Sequence, residues 1–279
     1  MTTAYAVAVG VADVRRDPDS TSELVTQALM NTPVVTGETT GTWTHVTLPD
    51  YEGWMHTNEL DEPPVRGFCK VGKHCSTPLQ LMALLIIPST PLHVHSQGEE
   101  AVGNVYLSTA LPLRDTTQQE RVRVALPGER TVWLNRSAVD IREQESLYLL
   151  KSTDEITGCA RMFLGVPYLW GGTTWEGIDC SGLVQLCYRM GGYMLPRDAA
   201  QQHDFLTQSV RREEMQEGDL VFFGTKSITH VAMALDNRQY IHSEGQNYNR
   251  VLINSFDPAA DTYYERLASI LWGIKRVIV

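Results

Sequence analysis

Two kinds of hydrophobic pattern divide this chain. Over its first half, short alternating segments such as Val25-Thr-Gln-Ala-Leu-Met-Asn-Thr-Pro-Val-Val35 are punctuated by Gly, Pro and Asp. That rhythm predicts strands and tight turns. The rhythm then recurs. Val102-Gly-Asn-Val-Tyr-Leu-Ser-Thr-Ala-Leu-Pro112 aligns with that segment, and Leu126-Pro-Gly before Val132-Trp133-Leu aligns with Leu48-Pro-Asp before Gly53-Trp54-Met. The repeat predicts two small β-barrels, over residues 1–62 and 65–145, joined at Pro63-Pro64. The second copy is the more divergent, and its segment from Phe68 to Pro78 reads as an insertion or an extended lead-in.

Past Arg142 the period changes. Ser152-Thr-Asp-Glu155 is a capping box that predicts a helix through about Leu164, ended by Gly165 and Pro167. Asp179 is a good N-cap for a second helix, whose buried stripe would be Leu183, Val184, Leu186, Cys187 and Met190, closed by Gly191-Gly192. Further on, His230-Val-Ala-Met-Ala-Leu alternates as a half-buried strand should, with His230, Ala232 and Ala234 on one face. Asp236-Asn237 signals a turn, and Tyr240-Ile241-His242 returns as a second strand.

These elements bring three reactive side chains into one argument. A thiol attacks as the thiolate, and an ordinary cysteine titrates near ~8.5, so a catalytic one needs an imidazole, a helix N-terminus or both. Cys180 opens the second helix, where the dipole and backbone N–H groups favour a thiolate and can hold an oxyanion. With an odd-length hairpin centred on Asp236, His230 and His242 stand directly opposite each other, Cβ atoms about 5 Å apart, so one ring can orient the other. An even-length loop would slip this register. Taken singly, a buried cysteine is usually a small hydrophobe and a histidine usually structural. The spacing and context of the three together favour chemistry.

The residues around them carry a resemblance. Gly165-Val-Pro-Tyr168-Leu-Trp-Gly171-Gly172, Asp179-Cys180-Ser181-Gly182, Leu195-Pro-Arg197-Asp198, Gly218-Asp219-Leu220-Val-Phe-Phe and His230-Val together resemble the NlpC/P60 cell-wall peptidases, in that family's order. Val14-Arg15-Arg16-Asp-Pro18 and the Gly53-Trp54-Met strand resemble bacterial SH3 domains. The resemblance implies two SH3-like barrels followed by a papain-like α+β catalytic domain over residues 146–279. Cys180 would be the nucleophile, His230 the base and His242 the third member.

Relatives that pair SH3 modules with this peptidase commonly cut murein peptides between D-γ-glutamate and the diamino acid, and require a free N-terminal L-alanine. The resemblance therefore implies a murein peptide as partner. Tyr168 and Asp179 occupy the positions that would hold the amine, and for Asp179 a plain helix cap is the alternative. Ser181 and Arg197 are expected to face the glutamyl α-carboxylate, with a structural ion pair as the alternative for Arg197. Where some relatives carry a serine after this arginine, the chain reads Asp198-Ala199-Ala200. Tyr51 or Trp54 of the first barrel would close the cleft beyond the alanine, although Trp54, repeated as Trp133, reads first as a barrel core residue. The rivals are a non-catalytic wall-peptide binder and an acyltransferase or amidase on the same fold.

Composition narrows the field further. The 279 residues carry 23 basic and 33 acidic side chains, a formal net charge of −10, which argues against a nucleic-acid binder that neutralises phosphates. No phosphate loop or dinucleotide fingerprint is present, and no cofactor is implied. Cys69, Cys75, His74, His93 and His95 could supply zinc ligands in principle, but their spacing fits no closed structural site, so no metal is expected. Five cysteines leave at least one unpaired, and Cys187 lies too far along the helix to bridge to Cys180. The start of the chain has no basic, then long apolar, run, and Leu81-Met-Ala-Leu-Leu-Ile-Ile87 is too short to cross a membrane. The expected location is cytoplasmic if Met1 is native and extracellular or periplasmic if an export signal has been removed.

Overall fold

The structure, a computed structural model, describes residues 4–64, 69–71, 75–77 and 81–278. The chain divides into two compact units, Met1–Leu147 and Tyr148–Val279.

The first unit holds two sheets built to one plan. Strands β1 (Ala4–Val7), β2 (Val11–Arg15), β3 (Leu24–Leu29), β4 (Pro33–Thr40), β5 (Trp43–Thr47), β6 (Glu52–His56) and β7 (Leu60–Asp61) form a sheet in the order β3-β2-β6-β5-β4-β1-β7. After a short hairpin of β8 (Cys69–Val71) and β9 (Cys75–Thr77) come seven more strands. These are β10 (Leu81–Leu85), β11 (Ser89–His93), β12 (Ala101–Tyr106), β13 (Ala110–Asp115), β14 (Arg121–Ala125), β15 (Thr131–Asn135) and β16 (Val139–Glu143). They pair in the order β12-β11-β15-β14-β13-β10-β16, which repeats the first order strand for strand. The hairpin of β8 and β9 stands off that path, with β8 parallel to β13. It falls in the lead-in between Phe68 and Pro78, of which Phe68, residues 72–74 and Pro78 lie outside the described residues; so does His74 of the cysteine and histidine set, with the side chains of Cys69 and Cys75.

Alternation explains both cores. In β6, Met55 is fully buried among Val7, Val14, Val46 and other apolar residues, while Trp54 points to the other face, half-buried and edge-on to His45. Trp54 is therefore not a core residue, contrary to its sequence reading. The one-residue step that buries Met55, and Leu134 in β15, turns Trp54 and Trp133 away from the core. Tyr51 packs partly buried against the first core. Met30 joins the second core, and the Asn31 side chain donates to Ala110 O at 2.8 Å, which ties the two sheets together.

The second unit is α+β. It contains α1 (Thr153–Met162), the short pair β17 (Thr173–Thr174) and β18 (Gly177–Ile178), α2 (Cys180–Met190) and α3 (Ala199–Phe205). Then follow β19 (Ser209–Val210), β20 (Leu220–Gly224), β21 (Ile228–Ala234), β22 (Gln239–Glu244), β23 (Arg250–Ser255), α4 (Glu265–Ser269) and β24 (Leu271–Lys275). The sheet runs β19-β24-β20-β21-β22-β23 with every pair antiparallel. The capping box at Ser152 and Glu155 forms as its sequence predicts, with both reciprocal bonds present.

Helix α2 departs from the amphipathic stripe. Every residue in it except Arg189 is buried, because α1, α3 and strands β21 and β22 all pack against it. Strand β21 departs in the same sense: Val231 to Ala234 are fully buried on both faces, one face joining a cluster with Phe223, Tyr240 and Leu267. The sheet and its helices therefore place the start of α2 and the middle of β21 in the dry interior.

Candidate active site

The start of α2 is organised by one carboxylate. Asp179 caps the helix by accepting from Gly182 N at 2.7 Å, as its sequence position predicts. Its oxygens also accept from Gly171 N (2.9 Å), Ser181 Oγ (3.3 Å), Arg197 Nη1 (3.0 Å) and Arg197 Nη2 (2.6 Å). The Arg197 side chain is 1% exposed, and Nη1 donates a further bond to Ser181 Oγ at 2.9 Å. Arg197 and Ser181 thus turn their polar atoms to Asp179 and to each other. The geometry is the ion-pair alternative for Arg197, with the guanidinium fork closed on a protein carboxylate. Asp179 keeps a tenth of its side-chain surface open.

Cys180 is buried at the first turn of this helix, and its sulfur receives the backbone N–H groups of Val231 and Ser181. Burial, followed by the neighbouring Asp179 charge, pushes the thiol up to about 12 against those donors. The helix start alone does not make a thiolate, because here the desolvation and the capping carboxylate outweigh it.

On the sheet side, Met233 stands opposite Ile241 and Ala234 opposite Tyr240, so the hairpin is centred on Asn237 and His242 falls opposite Ala232. Asp236 Oδ1 accepts from Arg238 N (2.6 Å) and Gln239 N (2.7 Å), and this Asx turn sets the centre one residue later than the sequence reading. His230 and His242 share a face as expected but are diagonal neighbours, not direct partners. Their rings still meet: His230 Nε2 lies 2.8 Å from His242 Nδ1, at a near-perpendicular ring angle of 78°. Burial holds both imidazoles below their usual range, His230 well below it and His242 at about 4. At neutral pH the free protein therefore holds a neutral thiol and two neutral rings.

The sequence reading missed a further member. Asn254 on β23 is buried, and its Oδ1 lies 2.9 Å from His242 Nε2. Nothing in Val251-Leu-Ile-Asn254 marks it, since it reaches the site through register with a third strand. Tyr168, half-buried, has its ring against the backbone of Gly245 and feels the fields of Cys180, Asp179 and Glu244. Burial, then the thiol and Asp179, raise its hydroxyl and keep it a neutral donor. The structure brings Tyr168, Asp179, Cys180, Ser181 and Arg197 together at one end of α2, and His230 and His242 on the two strands, β21 and β22, that pack against this helix. Such a set can pass a proton between sulfur and imidazole and offer donors to a developing oxyanion.

Known proteins share both the sequence and the fold. Residues 165–268 match the NlpC/P60 family, and residues 14–60 match the bacterial dipeptidyl-peptidase SH3 domain. The chain is 29% identical to a gamma-D-glutamyl-L-lysine dipeptidyl-peptidase of Bacillus cereus over 237 residues, covering 80% of this chain and 68% of that protein. It is 28% identical to dipeptidyl-peptidase 6 of Lysinibacillus sphaericus over 276 residues, covering 95% and 96% of the two chains. A solved structure of an NlpC/P60 family protein from Bacillus cereus has the same fold, with a TM-score of 0.82 over 98% of this chain and 99% of that one at 24% identity. Residues 165–268, which hold Cys180, His230 and His242, are thus an NlpC/P60 family domain, preceded over residues 14–60 by a bacterial SH3 domain.

Proposed function

We propose that the protein is a cysteine endopeptidase that cuts the bond between γ-D-glutamate and the diamino acid of peptidoglycan stem peptides bearing a free N-terminal L-alanine, releasing L-Ala-D-Glu. The observation that carries this reading is a buried thiol at a helix start, with the helix packed against a strand whose histidine is hydrogen-bonded to a second histidine. The Bacillus cereus relative, whose name gives a gamma-D-glutamyl-L-lysine substrate, supports the substrate class, and the Lysinibacillus sphaericus relative, over nearly the full length of both chains, supports a dipeptidyl-peptidase activity.

Because thiol and imidazole are both neutral at rest, the proton moves as the bond forms. His230 takes the Cys180 proton while sulfur attacks the γ-glutamyl carbonyl, then gives it to the departing amine of the diamino acid, leaving a thioester. Water, deprotonated by His230, hydrolyses the thioester and restores the thiol. Backbone N–H groups at the start of α2 and the Tyr168 hydroxyl hold the oxyanion. Asp179 and Tyr168 receive the alanine ammonium, and Arg197 with Ser181 hold Asp179 in place for it. We also read residues 69–143 as a second, divergent SH3-like barrel, on the strength of the repeated strand order.

The test uses L-Ala-γ-D-Glu-L-Lys and its meso-diaminopimelate counterpart, each free and N-acetylated, with products separated by chromatography. The free peptides are expected to be cut and the acetylated ones left intact; equal rates would refute the amine pocket. Cys180→Ala is expected to abolish turnover with the fold retained, and residual turnover at the parent rate would refute the nucleophile.

A further inference from the structure

The histidine relay does not end at His242. Asn254 Nδ2 donates to Thr262 O at 2.9 Å, and the same carbonyl receives Ser255 N at 2.9 Å. Residues 262–264 are clipped to the end of β23, with Tyr263 bridged to Ser255 and Tyr264 N reaching Ser255 O. This carbonyl is therefore a fixed acceptor. It decides which way the Asn254 amide faces, because a flipped amide would set two oxygens against each other at hydrogen-bond distance.

From that anchor every proton in the chain follows. With its NH2 committed to Thr262, Asn254 presents Oδ1 to His242, and a carbonyl oxygen can accept but not donate. His242 must then carry its proton on Nε2, which leaves Nδ1 a lone pair. The partner of that lone pair is His230 Nε2, so His230 carries its proton there as well. Of the two unprotonated ring nitrogens, His242 Nδ1 is taken up within the relay, which leaves His230 Nδ1 as the lone pair outside it. A base needs just such a lone pair, and a His230 ring with the opposite tautomer would have its proton on that nitrogen instead.

We propose that Asn254 is a positioning residue of the active site: through the Thr262 carbonyl it sets the tautomers of both His242 and His230 and so keeps His230 Nδ1 free as the base. The relay contains no carboxylate. When His230 takes a proton on Nδ1, its Nε2–H still donates to His242, so the chain survives the transfer without any second proton moving. This inference rests on the assignment of His230 as base, and its test separates the two.

The experiment is a 15N-histidine-labelled sample of the full chain, with ring tautomers read from two-bond 1H–15N correlations and assigned by His230→Gln and His242→Gln. Both rings are expected as Nε2–H tautomers at neutral pH. A Nδ1–H tautomer at His242, or an even mixture there, would overturn the proposal whatever the activity. Asn254→Leu is expected to scramble the His242 tautomer and lower kcat about 10- to 100-fold with KM nearly unchanged. Asn254→Asp keeps an oxygen for His242 Nε2 and is expected to hold the tautomers, but its second oxygen is set against the Thr262 carbonyl, so kcat is expected to fall between the parent and the leucine variant. Unchanged kcat in the leucine variant would refute the positioning role. If Cys180→Ala instead keeps its turnover while the tautomers are as stated, the catalytic reading fails and the relay stands.

Discussion

The start of α2 is buried, and so is the relay across β21, β22 and β23 apart from the half-buried His230, but they handle polarity in opposite ways. At the helix, a full negative charge on Asp179 faces the full positive charge of Arg197, and five hydrogen bonds converge on one carboxylate. Along the sheet, two imidazoles and an amide are linked end to end, and burial keeps the rings neutral. Burying charge is costly unless every partner is supplied, and a site so built is rigid. A neutral chain costs less to bury and can accept a proton when the reaction delivers one. The two walls therefore suit different tasks, one holding a fixed field and geometry, the other accepting a transient charge.

The sharpest way to break this contrast is to remove one partner from each wall. Arg197→Met leaves Asp179 charged and buried without its fork, and is expected to cost about 3 to 5 kcal/mol of stability. His242→Asn leaves no uncompensated charge and is expected to cost no more than about 1 to 2 kcal/mol. Urea denaturation of the two variants against the parent measures both. Equal losses would show that the carboxylate gains nothing essential from the guanidinium.

How far each wall could be read in advance follows from the range of its interactions. Asp179, Cys180, Ser181 and Gly182 are consecutive, and capping chemistry is local, so the helix start is visible in four residues. The shared face of His230 and His242 is visible too, because alternation sets parity within one hairpin. Their exact pairing is not, since it depended on which residue the Asp236 side chain would choose for its turn. The Asp179–Arg197 pair and Asn254 were beyond sequence reading for one reason. Each joins segments that only the folded chain brings together, Arg197 from the loop before α3 and Asn254 from a third strand. Trp54 fails differently: its type suggested a core, and a single step of strand register decided otherwise.

The relay also responds to protons. His230 works as a base unprotonated, and burial lowers the pKa of both rings in the folded protein. A depressed imidazole stays neutral as pH falls through its ordinary value near ~6.5 and protonates later. The acid limb of kcat/KM is therefore expected below that value, and an inflection at ~6.5 or above would contradict neutral, buried rings. The same depression has a stability consequence of matching sign. For His242, between ~6.5 in the unfolded chain and about 4 in the folded one, the unfolded state binds more protons, so acidification through that window destabilises the fold.

The smallest expected effect lies where the two walls meet. Tyr168 feels Cys180 and Asp179 on one side and Glu244 of β22 on the other, and its ring lies flat enough on Gly245 that an added Cβ would sit 2.5 to 2.8 Å from three ring carbons. Those distances are below any normal contact, so in Gly245→Ala the ring must turn or shift. A phenol can swing about its own side-chain bonds while the buried ion pair and relay stay in place. The fold should therefore lose little, about 1 kcal/mol. The hydroxyl, however, leaves the position proposed to meet the substrate's ammonium. KM for the free-amine tripeptide is expected to rise about three- to tenfold, with kcat falling less. Should kcat fall and KM hold instead, Tyr168 serves the oxyanion alone of its two proposed roles, and the helix wall without it would carry recognition of the peptide end.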